Sequence, residues 1–202
     1  MGFVAIDPYL KPAIGTLGPL VMTALASAAD RLGGPHADDA VKRWFGTKDA
    51  AFKATLARDL RRMRSVINVH TITIGSEDLM KRHANTNASA WTAPGRVGVG
   101  DKVLDDEGRS VFVDANFHKL SQFLPKSGTR INANGDYQSQ FNTLVHELSH
   151  LLIGTKDVAG ARGTAYGTKN AEALAAATPL DAAKNAENWG IFVEACGHHR
   201  TS

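Results

Sequence analysis

The chain has 202 residues, of which 43% are hydrophobic and 21% charged, and its formal net charge is +3. This balance excludes disordered and fibrous classes and suits one soluble domain over residues 1–202 built around one main core. Lys and Arg are spread along the chain rather than gathered into a stripe with stacking aromatics, which argues against nucleic acid as a partner. The single cysteine, Cys196, excludes an intrachain disulfide and a cysteine-built zinc site, and fits a reducing compartment.

The apolar run from Ile14 to Ala28 follows one basic residue, Lys11, and the turn formers Asp7, Pro8 and Pro12, a poor lead for a signal sequence. It is also short and interrupted for a stable membrane insertion. It reads as a buried helix beginning near Pro19, from about Leu20 to Leu32. On that reading the protein is cytoplasmic as synthesised, or exported without a cleaved signal peptide. A second helix is expected from Asp39 to Phe45, stopped by Gly46, and a third from Asp49 to about Val69. In the third, Phe52, Leu56, Leu60, Met63 and Ile67 form one apolar face, and the basic run Arg58 to Arg64 forms the solvated one.

Strand signals come next: "HTITIG" from His70, "RVGVG" near Val97 and "SVFVDA" from Ser110, which together make a small sheet. The turn formers of Pro125 to Gly135 read as an exposed loop. From about Tyr137 to Ile153, Phe141, Leu144, Val145, Leu148 and Leu152 recur at three and four, giving a helix with one buried stripe. A glycine-rich loop, Gly154 to Gly167, leads to helices at Asn170 to Ala177 and Leu180 to about Ala195, divided by Pro179.

The chemistry concentrates in "HELSH". Residues four apart on a helix project from one face, so His146 and His150 can converge on one cation with Glu147 beside it. That is what zinc hydrolysis needs: two neutral nitrogen ligands, an open position for water, and a carboxylate near enough to take the water's proton. A third ligand has to come from elsewhere. Asp157 can swing back if Gly154 ends the helix in a left-handed conformation, and Glu172 on the next helix is the rival; the spacing alone leaves both open.

"HELSH" is followed by "GTKD" at Gly154 to Asp157 and "AYG" at Ala165 to Gly167. Further pieces are "RWFG" at Arg43 to Gly46, "VFVDANF", and the run from Ala171 to Ala195. From Arg43 to Ala195 the chain resembles the deuterolysin and peptidyl-lysine metalloendopeptidases, the aspzincins, whose signature is HExxH followed by GTxDxxYG. The resemblance implies a zincin-like metalloprotease of α+β class: N-terminal helices, a small mixed sheet, a catalytic helix and C-terminal helices. It implies one Zn²⁺ held by His146, His150 and Asp157, with Glu147 as general base and Tyr166 as a donor to the oxyanion. It also implies a protein or peptide substrate. A substrate edge is expected at the strand Val111 to Val113.

Three departures shape further expectations. Tyr166 stands nine residues after Asp157, where the family has three, so a loop insertion has to preserve the geometry. Of the two acids that line the family's lysine pocket, the chain keeps Glu187 and has Gly190 at the other place, which implies at most a relaxed preference for Lys or Arg. The lack of disulfides and of a signal sequence points to a bacterial, intracellular or effector-type relative with a secretion-system or immunity partner. The competing functions are a zinc-stabilised interaction module with little turnover and a peptidoglycan-peptide hydrolase.

Overall fold

Gly2–Ala5 forms a first strand, β1, in a computed structural model that describes residues 2–76, 91–92, 110–113, 117–124, 129–130, 137–161 and 163–198. β1 runs parallel to β2 (Thr71–Ser76), with Gly2 opposite Thr71 and Ala5 opposite Ile74. β2 runs parallel to β4 (Ser110–Val113), whose other side pairs antiparallel with β3 (Trp91–Thr92). The order β1-β2-β4-β3 therefore puts β4 inside the sheet and β3 at its edge, which corrects the expectation that Val111 to Val113 offers an edge. In β2, Ile72 and Ile74 are fully buried while Thr71 faces out, the alternation that made this strand legible. The expected strand near Val97 lies outside the described residues.

Three helices precede β2: α1 (Lys11–Arg31), α2 (Ala37–Phe45) and α3 (Ala50–Val69). α1 starts well before Pro19 and runs through it. Pro19 sits on the exposed face, and its ring and missing N–H are accommodated there without breaking the buried side. By length and composition α1 is apolar enough to cross a membrane, contrary to the expectation of a short, interrupted run. Its stripe of Ile14, Leu17, Val21, Leu25 and Ala28 is buried inside the protein, as in a core helix.

The C-terminal part begins with a short ladder between β5 (Thr129–Arg130) and β6 (Tyr137–Gln138), then α4 (Gln140–Ile153). A hairpin of β7 (Ala159–Gly160) and β8 (Gly163–Thr164) follows, then α5 (Thr168–Ala177), α6 (Pro179–Ala182) and α7 (Ala186–His198). α4 packs against α7 and α3, and α1 packs against α3 and α7, so the helix carrying His146 and His150 is held in the middle of the helical layer. Phe45 fixes α2 to α7, its ring centroid 5.7 Å from Trp189 and 5.3 Å from Phe192. The next residue, Gly46, has φ 70°, and a Cβ there would lie 2.0 Å from the Ala175 carbonyl oxygen, so α2 and α5 meet only because this residue is glycine.

α4 starts three residues later than expected, because Tyr137 and Gln138 are in the β ladder and Ser139 is the extended N-cap. The Ser139 hydroxyl oxygen accepts from Asn142 N at 2.9 Å, and its O–H donates to Glu194 Oε2 at 2.6 Å. Glu194, on α7, also accepts from the backbone N of Leu124. Burial pushes its carboxyl up to about 7, against the lowering effect of these hydrogen bonds. Since the folded-state value lies above the ordinary 4.5, the folded protein holds this proton more tightly than the unfolded chain. The contribution of Glu194 to stability is therefore full below about pH 4.5 and falls as pH rises toward 7. Urea unfolding of the wild type and Glu194→Gln across this range should show the wild type losing ground as pH rises. A pH-independent difference would contradict the assignment.

Candidate metal centre

His146 and His150 follow one another along α4, their ring centroids 4.7 Å apart and their Nε2 atoms 3.0 Å apart. Gly154 ends the helix at φ 74° and ψ 28°, and Thr155 N donates back to Ser149 O at 3.3 Å. The turn brings Asp157 Oδ1 to 3.2 Å from His146 Nε2 and 3.4 Å from His150 Nε2. Glu147 Oε1 lies 3.7 Å from His146 Nε2. The opposite edges of both rings are already engaged. His150 Nδ1–H donates to the Thr155 carbonyl at 2.8 Å, and His146 Nδ1 lies 3.1 Å from Glu187 Oε2. With both Nδ1 atoms as donors, both Nε2 lone pairs face one carboxylate oxygen, an arrangement that calls for a proton or a cation between them.

The electrostatics agree. Burial works to lower the His146 pKa, but its hydrogen bonds to Asp157 and Glu187 and the Glu147 charge outweigh burial and raise it to about 10. Burial works to raise Asp157, and the two histidines win, holding its carboxyl far below the usual range. Burial raises Glu147, with His146 and His150 opposing. Negative charge from Glu147, Asp157 and Glu187 thus surrounds two imidazoles. The donor atoms of His146, Glu147 and His150 lie within 4.8 Å of one another, a spacing that suits one metal ion.

The insertion after Asp157 is absorbed as a hairpin. Ala165 N donates to Val158 O at 2.8 Å, closing β7 and β8 into a side excursion of residues Ala159 to Thr164. Removing that excursion in thought leaves Tyr166 three positions from Asp157. Asn185 holds the neck of the hairpin from both sides: its Oδ1 accepts from Val158 N at 3.1 Å, and its Nδ2 donates to Ala165 O at 3.3 Å. Tyr166 consequently reaches the site, its ring 5.9 Å from that of His146. Burial and then the charge and hydrogen bond of Asp157 push its phenol above the ordinary range, so the hydroxyl keeps its proton.

The other candidates are placed differently. Glu172 pairs with Arg43 on the surface between α5 and α2, so of the two rivals for third ligand Asp157 is the one beside the histidines. Glu187, expected as a pocket acid for substrate, is fully buried, with Oε2 against His146 and Oε1 accepting from Gly167 N at 2.9 Å. The first turn of α7 packs under α4, so this carboxylate faces the back of a histidine instead of an open wall. At Gly190 a Cβ would lie 2.7 Å from both Nδ2 and O of Asn142, so α7 and α4 touch where a second acid would stand. Asn185 and Thr155 make hydrogen bonds that hold the surroundings of the histidines, a part the sequence reading assigned to neither. The hydrogen bonds of Asn185 are tertiary, to Val158 and Ala165, whereas those of Thr155 are local, to Ser149 and His150 at the end of α4.

Residues 115–194 match the model of the lysine-specific metallo-endopeptidase, or aspzincin, family. A peptidyl-Lys metalloendopeptidase of Armillaria mellea is 41% identical over 56 residues, which is 28% of this chain and 15% of that relative's length. A zinc peptidase from Grifola frondosa superposes with a TM-score of 0.64 at 24% identity, covering 93% of this chain and 96% of the other, which establishes a shared fold.

Proposed function

We propose, from the match of residues 115–194 to the aspzincin family model, that the protein is a zinc metalloendopeptidase acting on proteins or peptides. The observation that carries the proposal is the convergence of His146 Nε2, His150 Nε2 and Asp157 Oδ1 on one point, with both Nδ1 atoms committed to acceptors behind. Two neutral imidazoles and one carboxylate are a donor set that fits zinc with a coordination position left open. Zinc supplies a Lewis acid that polarises the scissile carbonyl and makes water a stronger acid.

The protein's own groups do the rest. Glu147, buried beside the histidines, takes the proton of the attacking water and hands it to the departing amine. Its burial-raised carboxyl suits a group that has to hold a proton between two steps. Tyr166, kept protonated, donates its hydroxyl to the carbonyl oxygen as that atom gains charge. With Glu187 turned to His146 and no side chain at Gly190, the paired acids of a lysine pocket are missing, and cleavage without a strict lysine requirement follows.

Metal analysis and digestion of an unbiased peptide library, with and without chelator, test this reading. One zinc per chain and chelator-sensitive cleavage at varied residues are expected. Cleavage that survives removal of all metal would sink the peptidase mechanism, and strict lysine dependence would overturn the specificity.

A further inference from the structure

We propose that Glu187 is a positioning residue that fixes His146 as an Nε2 donor and ties it to the chain segment carrying Tyr166. The inference rests on the zinc reading above and concerns how that site is held. Two N–H groups, from His146 Nδ1 and the Gly167 backbone, converge on the two oxygens of one carboxylate at 3.1 and 2.9 Å. The carboxylate is 0% exposed, and burying such a charge is costly unless the surroundings answer it with donors and positive charge. Of the ionisable side chains, an ionised carboxylate is the one that offers acceptors alone, which is what two converging donors require.

The two contacts have different consequences. The contact to His146 keeps the ring proton on Nδ1 and leaves the Nε2 lone pair aimed at Asp157 and His150. Because Nδ1 lies on the opposite edge of the ring, Glu187 acts through His146 and does not reach the metal position itself. The contact to Gly167 pins the residue directly after Tyr166, at φ 83°, where the chain enters α5. One carboxylate therefore sets the direction of a ligand and the position of the tyrosine backbone.

Glutamine tests this sharply, since it has nearly the same shape but one acceptor and one donor. Either its NH₂ group opposes the Gly167 N–H, or it opposes His146 Nδ1 and drives the ring proton to Nε2, where it blocks metal binding. Zinc affinity, read by competition with a chromophoric chelator, is expected to fall roughly 10- to 100-fold in Glu187→Gln, the range for lost support of a metal ligand. Glu172→Gln should leave it unchanged. Imidazole ¹⁵N NMR supplies a readout that general loosening would not reproduce. In the zinc-loaded wild type His146 should carry a solvent-protected proton on Nδ1. In Glu187→Gln that signal should shift or exchange rapidly while the corresponding His150 signal, held by Thr155, stays in place.

If Glu187→Gln does not fold, the wild-type spectrum decides alone. A freely exchanging His146 Nδ1 proton, zinc on Nδ1, or an unchanged affinity in Glu187→Gln overturns the proposal. A wild type that takes up no zinc at all overturns the metal reading on which it depends.

Discussion

Asp157→Ala is expected to strip zinc from the protein, while Glu172→Ala leaves it bound. Asp157 Oδ1 stands within 3.4 Å of the Nε2 atoms of both His146 and His150, and Glu172 is engaged with Arg43 at the surface. If a total zinc binding free energy of about 10 kcal/mol is shared by three protein ligands, losing one weakens binding by roughly two orders of magnitude or more. Since zinc bound to the native state adds to stability, the melting temperature in excess zinc should fall in Asp157→Ala, and chelator should no longer shift it. Equal zinc content in Asp157→Ala and the wild type would remove this residue from the ligand set.

How far the sequence foretold this site depends on how local each signal is. The His146–Glu147–His150 group was readable because its spacing, its amphipathic helix and the glycine that ends the helix all lie within one short segment. Asp157 could be reached from the same segment, although the choice over Glu172 needed the resemblance to a family. Glu187 was placed in the right neighbourhood with the wrong contact. α7 is buried on every side from Ala186 to Glu194, so periodicity could not say which face its acid occupies. Its partner His146 lies 41 residues earlier in the chain.

The remaining misses have the same origin. β1 has four residues and only one of them, Ala5, is buried, so no alternation marks it, and its existence depends on pairing with β2. The final helix was expected as one element from Leu180. It is cut at Asn185 because the backbone there pairs with Lys156, with Lys156 N donating to Lys184 O and Ala186 N donating to Lys156 O. That interruption serves the site: the bridge fixes the residue before Asp157, and the Asn185 side chain closes the hairpin that returns Tyr166. A helix propensity summed along Leu180 to Ala195 contains none of this, since tertiary hydrogen bonds override it.

Glu147→Gln should leave zinc and fold intact and reduce peptide hydrolysis by roughly 10²- to 10⁴-fold, the range spanned by a positioned general base. The amide keeps the size of the side chain but cannot accept the water's proton. Its neutrality also removes a charge that burial already disfavours, so the variant should be no less stable to heat than the wild type. Tyr166→Phe probes the other end of the reaction. Removing one donor to the developing oxyanion costs up to about 10²-fold in turnover while zinc content holds, because the phenol touches Asp157 and lies outside the proposed ligand set. Measuring kcat and KM for both variants separates the roles: each loss should fall on kcat, since neither group is assigned to ground-state binding. A Glu147→Gln protein that cleaves at the wild-type rate would require another base. A Tyr166→Phe protein with unchanged kcat would mean that the hairpin returns the tyrosine to Asp157 without presenting its hydroxyl to the substrate.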